Sequence, residues 1–226
     1  MIVSYRMAIY SDEQLFEIIR KDLFTPVVGD ILDRERYWHQ FLPQPIKPLT
    51  PHHRLIGRAM PVRIVEVTGP QPRPFGLLTE ALDSLQPGEI YVATGGLMNC
   101  AAWGEIMTAT ARTRGATGAV IDGFHRDTSR VIEQNWPVFS RGSFAQDAGV
   151  RSVVSTFRCA VEIDGVVVEP GDLIFGDMDG VLVIPRQIEV KVIHLALEKV
   201  AGEKRVRKEI EEGSTSTAVF DRYGIL

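Results

Sequence analysis

The chain has 226 residues, 45% apolar and 24% charged, with 25 Lys+Arg against 29 Asp+Glu and a net charge of −4. That apolar fraction is too high for a disordered chain. No stretch approaches the roughly 20 apolar residues that a membrane helix needs, and the acidic balance argues against nucleic-acid binding through gross charge. The length allows a full core, as one large domain or two small ones. Cys100 and Cys159 make neither a disulfide framework nor a zinc ribbon and read as buried, reduced thiols. The opening MIVSYRMAIYSDEQ has no basic segment followed by an apolar run, so it does not read as a signal peptide, and a cytoplasmic location is expected.

Helices are expected over residues 11–40. Ser11 with Gln14 forms a capping-box pattern, and Leu15, Ile18, Ile19 and Leu23 share one helical face. Thr25-Pro26 predicts the cap and first position of a second helix, running through Val28, Ile31 and Leu32. Four prolines between 43 and 51 predict a loop. The core is expected over 54–185. Residues 54–68 have strand composition, with Pro61 suggesting an edge or a bulge. After a second Pro-rich loop, FGLLTEALDSLQ reads as a short helix and EIYVA (89–93) as a short buried strand. Residues 94–104, TGGLMNCAAWG, read as a Gly-rich turn into a helix that ends at Gly115. GAVID (118–122) reads as a buried strand, TSRVIEQN as a short helix and PVFSR as another strand. This alternation predicts a parallel-type α/β unit.

The C-terminal third changes character. Asp164-Gly165 and Asp179-Gly180 each predict a hairpin turn, which adds antiparallel β-strands layered on the α/β unit. Residues 187–212 predict a long helix whose Ile188, Val192, Leu195 and Val200 form an apolar stripe. The tail ends apolar and is expected to dock on its own chain or on a neighbouring subunit. The expected fold class is therefore α/β, as one domain over 1–226.

Arg126-Asp127 follow a buried strand, at the carboxyl end where α/β sheets bind ligands. The preceding helix starts near Trp103-Gly104, and its free N–H groups point into the same crevice, with Glu105 in the first turn. One Arg, two carboxylates and a helix N-terminus suit a magnesium-type ion plus a small anionic keto acid. His125 precedes the pair and could act as a base, but on a strand its side chain points away from that of Arg126. Asp177 and Asp179 read as turn formers, Trp103 as packing, and Gly95-Gly96 as too little for a phosphate cradle.

The stretch WGEIMTATARTRGATGAVIDGFHRD resembles the signature of the 4-hydroxy-4-methyl-2-oxoglutarate aldolase and RraA-like family, an acidic residue, twenty residues, then Arg-Asp. Glu105 and Arg126 enclose residues 106–125, which is twenty, with Glu where the best-known aldolases have Asp. PVFSRG at 137–142, VVVEPGDLIFGDMDGVLVIP at 166–185 and EKRVRKEIEEG near the C-terminus are also similar, so the resemblance covers residues 92–212. It implies a swivelling β/β/α-type fold assembled as a homotrimer or hexamer. It also implies a class II aldolase or decarboxylase that uses Mg2+ or Mn2+ on small 2-oxo acids, 4-hydroxy-4-methyl-2-oxoglutarate and oxaloacetate among them.

Residue by residue, the resemblance makes Asp127 the metal ligand and Glu105 the acid that reaches the metal through water. Arg126 becomes the group that binds the keto acid, and Gly104, Glu105, Ile106 and Met107 the turn whose backbone holds the substrate carboxylate. Glu203 matches a C-terminal acid that a neighbouring subunit contributes. The same family contains non-catalytic regulators of ribonuclease E that lack the acid after the Arg. Retention of Asp127 favours an enzyme over such an interaction protein, and a lyase for a different sugar acid or amino acid is the third reading. No methyl-donor pattern is recognisable.

Overall fold

The computed structural model describes residues 10–225. The residues before Tyr10, on which most of the signal-peptide reading falls, lie outside this range.

Helix α1 (Asp12–Asp22) opens with the expected capping box: the Ser11 hydroxyl accepts from the Gln14 N–H at 3.3 Å, and the Gln14 side chain accepts from the Ser11 N–H at 3.0 Å. Both orphan donors are satisfied reciprocally. Ser11→Ala is expected to cost about 1 kcal/mol, read as a small fall in thermal midpoint with unchanged folded-state circular dichroism.

Helix α2 (Thr25–Arg34) starts one residue earlier than the Thr25-Pro26 pattern predicts. Phe24 is the cap and supplies no side-chain bond. A carboxylate far along the chain replaces it: Asp177 accepts from the Thr25 N–H at 2.8 Å and from its hydroxyl at 2.6 Å. Asp177 also accepts from the Asp179 N–H at 2.9 Å, so it forms the expected turn and caps a distant helix at once.

The remaining elements are β1 (Lys47–Pro48), β2 (Leu55–Glu66), α3 (Leu78–Asp83), β3 (Glu89–Trp103), α4 (Glu105–Thr113), β4 (Gly118–His125), α5 (Thr128–Glu133) and β5 (Val138–Ser140). They continue with β6 (Ser152–Phe157), β7 (Val161–Ile163), β8 (Val166–Val168), β9 (Leu173–Gly176), β10 (Val181–Ile184), α6 (Glu189–Glu211) and α7 (Ser216–Tyr223). Strands β2, β3, β4 and β5 run parallel, as the alternation of strand and helix requires.

The antiparallel strands meet this unit in two ways. Hairpin β9–β10 extends the same sheet through β2, giving the order β1-β5-β4-β3-β2-β9-β10, with β6 also paired to β2. Hairpin β7–β8, turning on Asp164 (φ 50°) and Gly165 (φ 82°), lies across the sheet as a separate layer. Residues 40–42 bond to β10 through Leu42 N–H to Val181 O (2.9 Å) and Val183 N–H to Gln40 O (2.8 Å). The chain then reaches β1 on the other edge, so the mixed sheet is nearly closed.

Pro61 lies within β2, where one neighbour gives way to another: β9 pairs as far as Arg58 and β6 begins at Val62. The missing N–H therefore falls in a gap in the ladder. The Gly-rich segment 94–104 is not a turn. It continues β3 to Trp103, with three register shifts against β4. Between the pairs Ala93–Ile121 and Trp103–His125, β3 advances ten residues while β4 advances four.

Side chains alternate along β4. Ala119 and Ile121 face α3–α5 in one apolar cluster, and Val120 faces the interior beneath β7–β8 in another. A third cluster joins α1, α2 and α6 to β9–β10 and buries Val192 and Val200 of the expected stripe. Tail helix α7 folds back on its own chain, burying Val219 and placing the Tyr223 hydroxyl on Glu209 at 2.5 Å. Cys100 is fully buried, and burial pushes its thiol pKa up. Cys159 is half-buried, and both cysteines are free. Among the described residues, no helix is long and apolar enough to cross a membrane.

Candidate active site

Strand β4 ends at His125, and Arg126 and Asp127 follow in the turn before α5. Asp127 adopts the left-handed region (φ 56°, ψ 36°), which Asp tolerates better than most residues. Its carboxylate lies against the start of α4, where Oδ2 accepts from the Glu105 N–H at 3.2 Å. A Cβ at Gly104 would stand 2.7 Å from the same oxygen, so the close approach requires glycine there.

Gly104 caps α4 without a side-chain bond. The first-turn N–H groups of Ile106 and Met107 therefore have no carbonyl below them in the helix. Together with the helix dipole they favour an anion. Ile106 is 79% exposed at this rim. Trp103, just upstream, is packing as expected: its ring is buried, and its N–H bonds the Thr108 hydroxyl at 2.8 Å.

Arg126 is half-exposed and held from two sides. Its Nε is 3.7 Å from Asp127 Oδ2, and its Nη1 donates to Asp147 Oδ1 at 2.7 Å. Asp147 Oδ2 in turn accepts from the Gly149 N–H at 2.7 Å. The sequence reading did not single out Asp147. It is the only carboxylate between Arg141 and Arg151, in the loop after β5, and that position was its one available signal.

Two hollows meet at this pair. One, of about 100 Å³, runs along residues 101–107 between Phe75, Leu78, Asp147 and Ala148. The other, of about 420 Å³, is lined by Arg126, Asp127, Thr128, Ser143, Phe144 and Ala145. The structure thus brings together Gly104, Glu105, Ile106, Met107, Arg126 and Asp127.

His125 does not join them. It is buried on the opposite side of the strand, with Nδ1 2.7 Å from the Ser140 hydroxyl and Nε2 3.1 Å from that of Thr128. Burial lowers its pKa, against an opposing contribution from Gly142. Its ring braces the turn that carries Arg126-Asp127. Glu203 is also apart from the hollows of its own chain. It faces a groove lined by Phe24, Val200 and Ile210 and lies 3.6 Å from Lys199.

Among the described residues, no three His, Cys, Asp or Glu side chains converge as a ready metal cage. A soft or tightly caged metal does not fit such a set. Magnesium does, because it keeps several waters and takes one or two carboxylates. Asp127 is 40% exposed and Glu105 is exposed beside it, so both can reach a hydrated ion.

The chain is 30% identical over 181 residues to Protein DlpA of Legionella pneumophila, covering 79% of this chain but only 29% of that longer protein. It is 31% identical over 169 residues to a Halalkalibacterium halodurans protein named "Putative 4-hydroxy-4-methyl-2-oxoglutarate aldolase", covering 74% and 77% of the two chains. Among solved structures, a protein from Pseudomonas syringae pv. tomato superposes with a TM-score of 0.79 at 31% identity, over 92% of this chain and 96% of that one. Streptomyces coelicolor RraAS2, described as an unusual member of an RNase ES inhibitor family, shares the fold with a TM-score of 0.78 at 22% identity, over 88% and 100%. The RraA-like family model, Aldolase/RraA, matches residues 25–183, and the chain belongs to that family.

Proposed function

We propose that this protein is a divalent-metal-dependent carbon–carbon lyase. It cleaves 4-hydroxy-2-oxo acids of the 4-hydroxy-4-methyl-2-oxoglutarate type to pyruvate and a second oxo compound, and it decarboxylates oxaloacetate by related chemistry. The observation that carries this reading is the convergence of Asp127, Arg126 and the first-turn N–H groups of α4 on one crevice. The aldolase-named relative supports it.

Asp127, with Glu105 through water, would hold a magnesium or manganese ion that supplies Lewis acidity at the keto oxygen. The N–H groups of Ile106 and Met107 receive the substrate carboxylate. Arg126 donates to the keto oxygen as negative charge develops there during C–C cleavage. Phe75 and Leu78 wall the crevice and exclude water from one side. Assembly as a homotrimer or hexamer, with Glu203 of a neighbouring copy at the crevice, belongs to the same proposal, and light scattering after size exclusion tests it.

Pyruvate release from 4-hydroxy-4-methyl-2-oxoglutarate and from oxaloacetate, with magnesium and with a chelator, tests the reaction. Chelator-sensitive release is the expected result. No release together with no magnesium binding would overturn it in favour of a non-catalytic interaction protein. Arg126→Lys is expected to impair turnover, since a planar two-pronged donor becomes a point charge. Gly104→Ala puts a methyl group against Asp127 Oδ2, so divalent-metal affinity is expected to fall by about tenfold or more, as when a ligand's support is removed. Magnesium titration calorimetry checks this.

A further inference from the structure

The backbone of Arg126 is pinned, its N–H donating to the Trp103 carbonyl at 2.9 Å. The head group lies at the end of a flexible stem and is not held by packing, since the side chain is 39% exposed. Asp127 Oδ2 is 3.7 Å from its Nε, beyond hydrogen-bond distance. The bond that fixes the guanidinium is the one to Asp147, whose Oδ1 accepts from Nη1 at 2.7 Å.

The loop around Asp147 is itself tied down. The Ala101 N–H of β3 donates to the Gln146 carbonyl at 2.8 Å, and the Gly149 N–H donates to Asp147 Oδ2 at 2.7 Å. Arg151 donates from Nη1 to the Asp147 carbonyl at 3.1 Å. The N–H groups of Arg151 and Ser152 close on the Ala148 carbonyl at 2.7 and 2.9 Å. A Cβ at Gly149 would stand 2.7 Å from Asp147 Oδ2, so this tight turn needs glycine. One carboxylate oxygen thus serves the loop while the other is aimed at Arg126. An ion pair this exposed contributes little to stability, so stability alone does not account for the arrangement.

We infer that Asp147 is a positioning residue, which sets the guanidinium of Arg126 for the keto oxygen of a 2-oxo acid. This rests on the lyase reading and adds to it the group that aims Arg126. A guanidinium is planar with its donors in a fixed fork, so holding Nη1 directs the other N–H groups. Their bond to a charged oxygen is roughly twice as strong as to a neutral one. Misdirection is therefore felt more as charge develops on the keto oxygen than in the bound ground state. It lowers kcat more than it raises KM.

The test compares Asp147→Ala with Asp147→Asn. Both remove the same charge, but only asparagine leaves an oxygen to accept from Nη1. For oxaloacetate with magnesium, Asp147→Ala is expected to lower kcat by about ten- to hundredfold, the scale of a misplacement of about 1 Å. KM is expected to change by less than about threefold, and Asp147→Asn to recover part of the loss. Gly149→Ala keeps Asp147 but displaces its carboxylate, and is expected to give the same signature more weakly. Thermal midpoints of both Asp147 variants are expected to stay near that of the unaltered protein. Calorimetry supplies a readout without turnover, because oxalate presents a charged oxygen where pyruvate has its neutral keto oxygen. Oxalate is expected to bind Asp147→Ala about tenfold more weakly than Asp147→Asn, with a smaller difference for pyruvate. Equal kcat and equal oxalate affinity in the two variants overturn the inference. So does a raised KM with kcat kept, a thermal midpoint that falls in step with kcat, or no oxalate binding by the unaltered protein. The lyase reading fails separately, when the unaltered protein releases no chelator-sensitive pyruvate, and the oxalate constants then still decide the role of Asp147.

Discussion

Replacing Asp127 with asparagine is expected to lower metal-dependent pyruvate release by roughly a thousandfold, the scale seen when a group stabilising transition-state charge is removed. Asparagine is the informative substitution because residue 127 sits at φ 56°. Asn tolerates that region as well as Asp, whereas alanine would add about 1–2 kcal/mol of backbone strain. The amide oxygen can still accept from the Glu105 N–H, so the turn and the start of α4 retain their bond. What is lost is the negative charge that would face the metal. The thermal midpoint is therefore expected to stay close to that of the unaltered protein, while magnesium binding by calorimetry disappears. Full activity in this variant would refute the metal-site assignment, and a large fall in thermal midpoint would show that the loss reflects folding.

The nearness of Glu105 to Arg126-Asp127 was legible because regular elements separate them: one helix and one strand of a parallel unit return the chain to the same sheet end. The roles expected of these residues came from the family resemblance. The Ser11–Gln14 box and the Asp164-Gly165 turn were readable because their partners lie within three residues. Asp147 was not legible. It meets Arg126 through an irregular loop, and a lone Asp in a loop carries no pattern.

The Asp177 cap of α2 acts across 152 positions, which explains why the start of that helix was placed one residue late. The Gly-rich segment misled for another reason. Glycines at 95 and 96 carry a strong local turn preference, yet β4 offers partners at Leu97, Ala101 and Trp103, and pairing with shifted register won over the local preference. The preference for antiparallel hairpins at the C-terminus was correct. Their joining the parallel sheet through β2 depended on long-range pairing that composition does not encode.

Arg58→Met is expected to destabilise the protein by about 3–5 kcal/mol, because it strands a buried acid. At this chain length that corresponds to a fall in thermal midpoint of roughly 10 °C. Arg58 lies on β2 with its side chain 10% exposed, and it forms ion pairs with Asp12 of α1 and with the 9%-exposed Glu189 of α6. It also donates to the Gly171 carbonyl at 3.3 Å and lies 5.7 Å from the Phe16 ring. One guanidinium thus fixes two helices to the sheet. Burial opposes its charge, but the hydrogen bonds to Asp12 and Glu189 outweigh that and raise its pKa. The double variant Arg58→Met with Glu189→Met is expected to recover most of the loss, since an apolar pair of similar volume replaces a buried ion pair at little cost.

Acid dependence gives a second check on the same triad. The hydrogen bond from Arg58 holds Asp12 below its ordinary pKa, against burial acting the other way. A depressed acid contributes stability above its unfolded value, near 3.8, and loses it as pH falls through the folded value. The gap in thermal midpoint between unaltered protein and Arg58→Met is therefore expected to be full at pH 6 and to shrink below about pH 4. Because Asp12 is 49% exposed, its own share of the gap is the smaller one. A gap that widens on acidification would show that Arg58 does not act through Asp12.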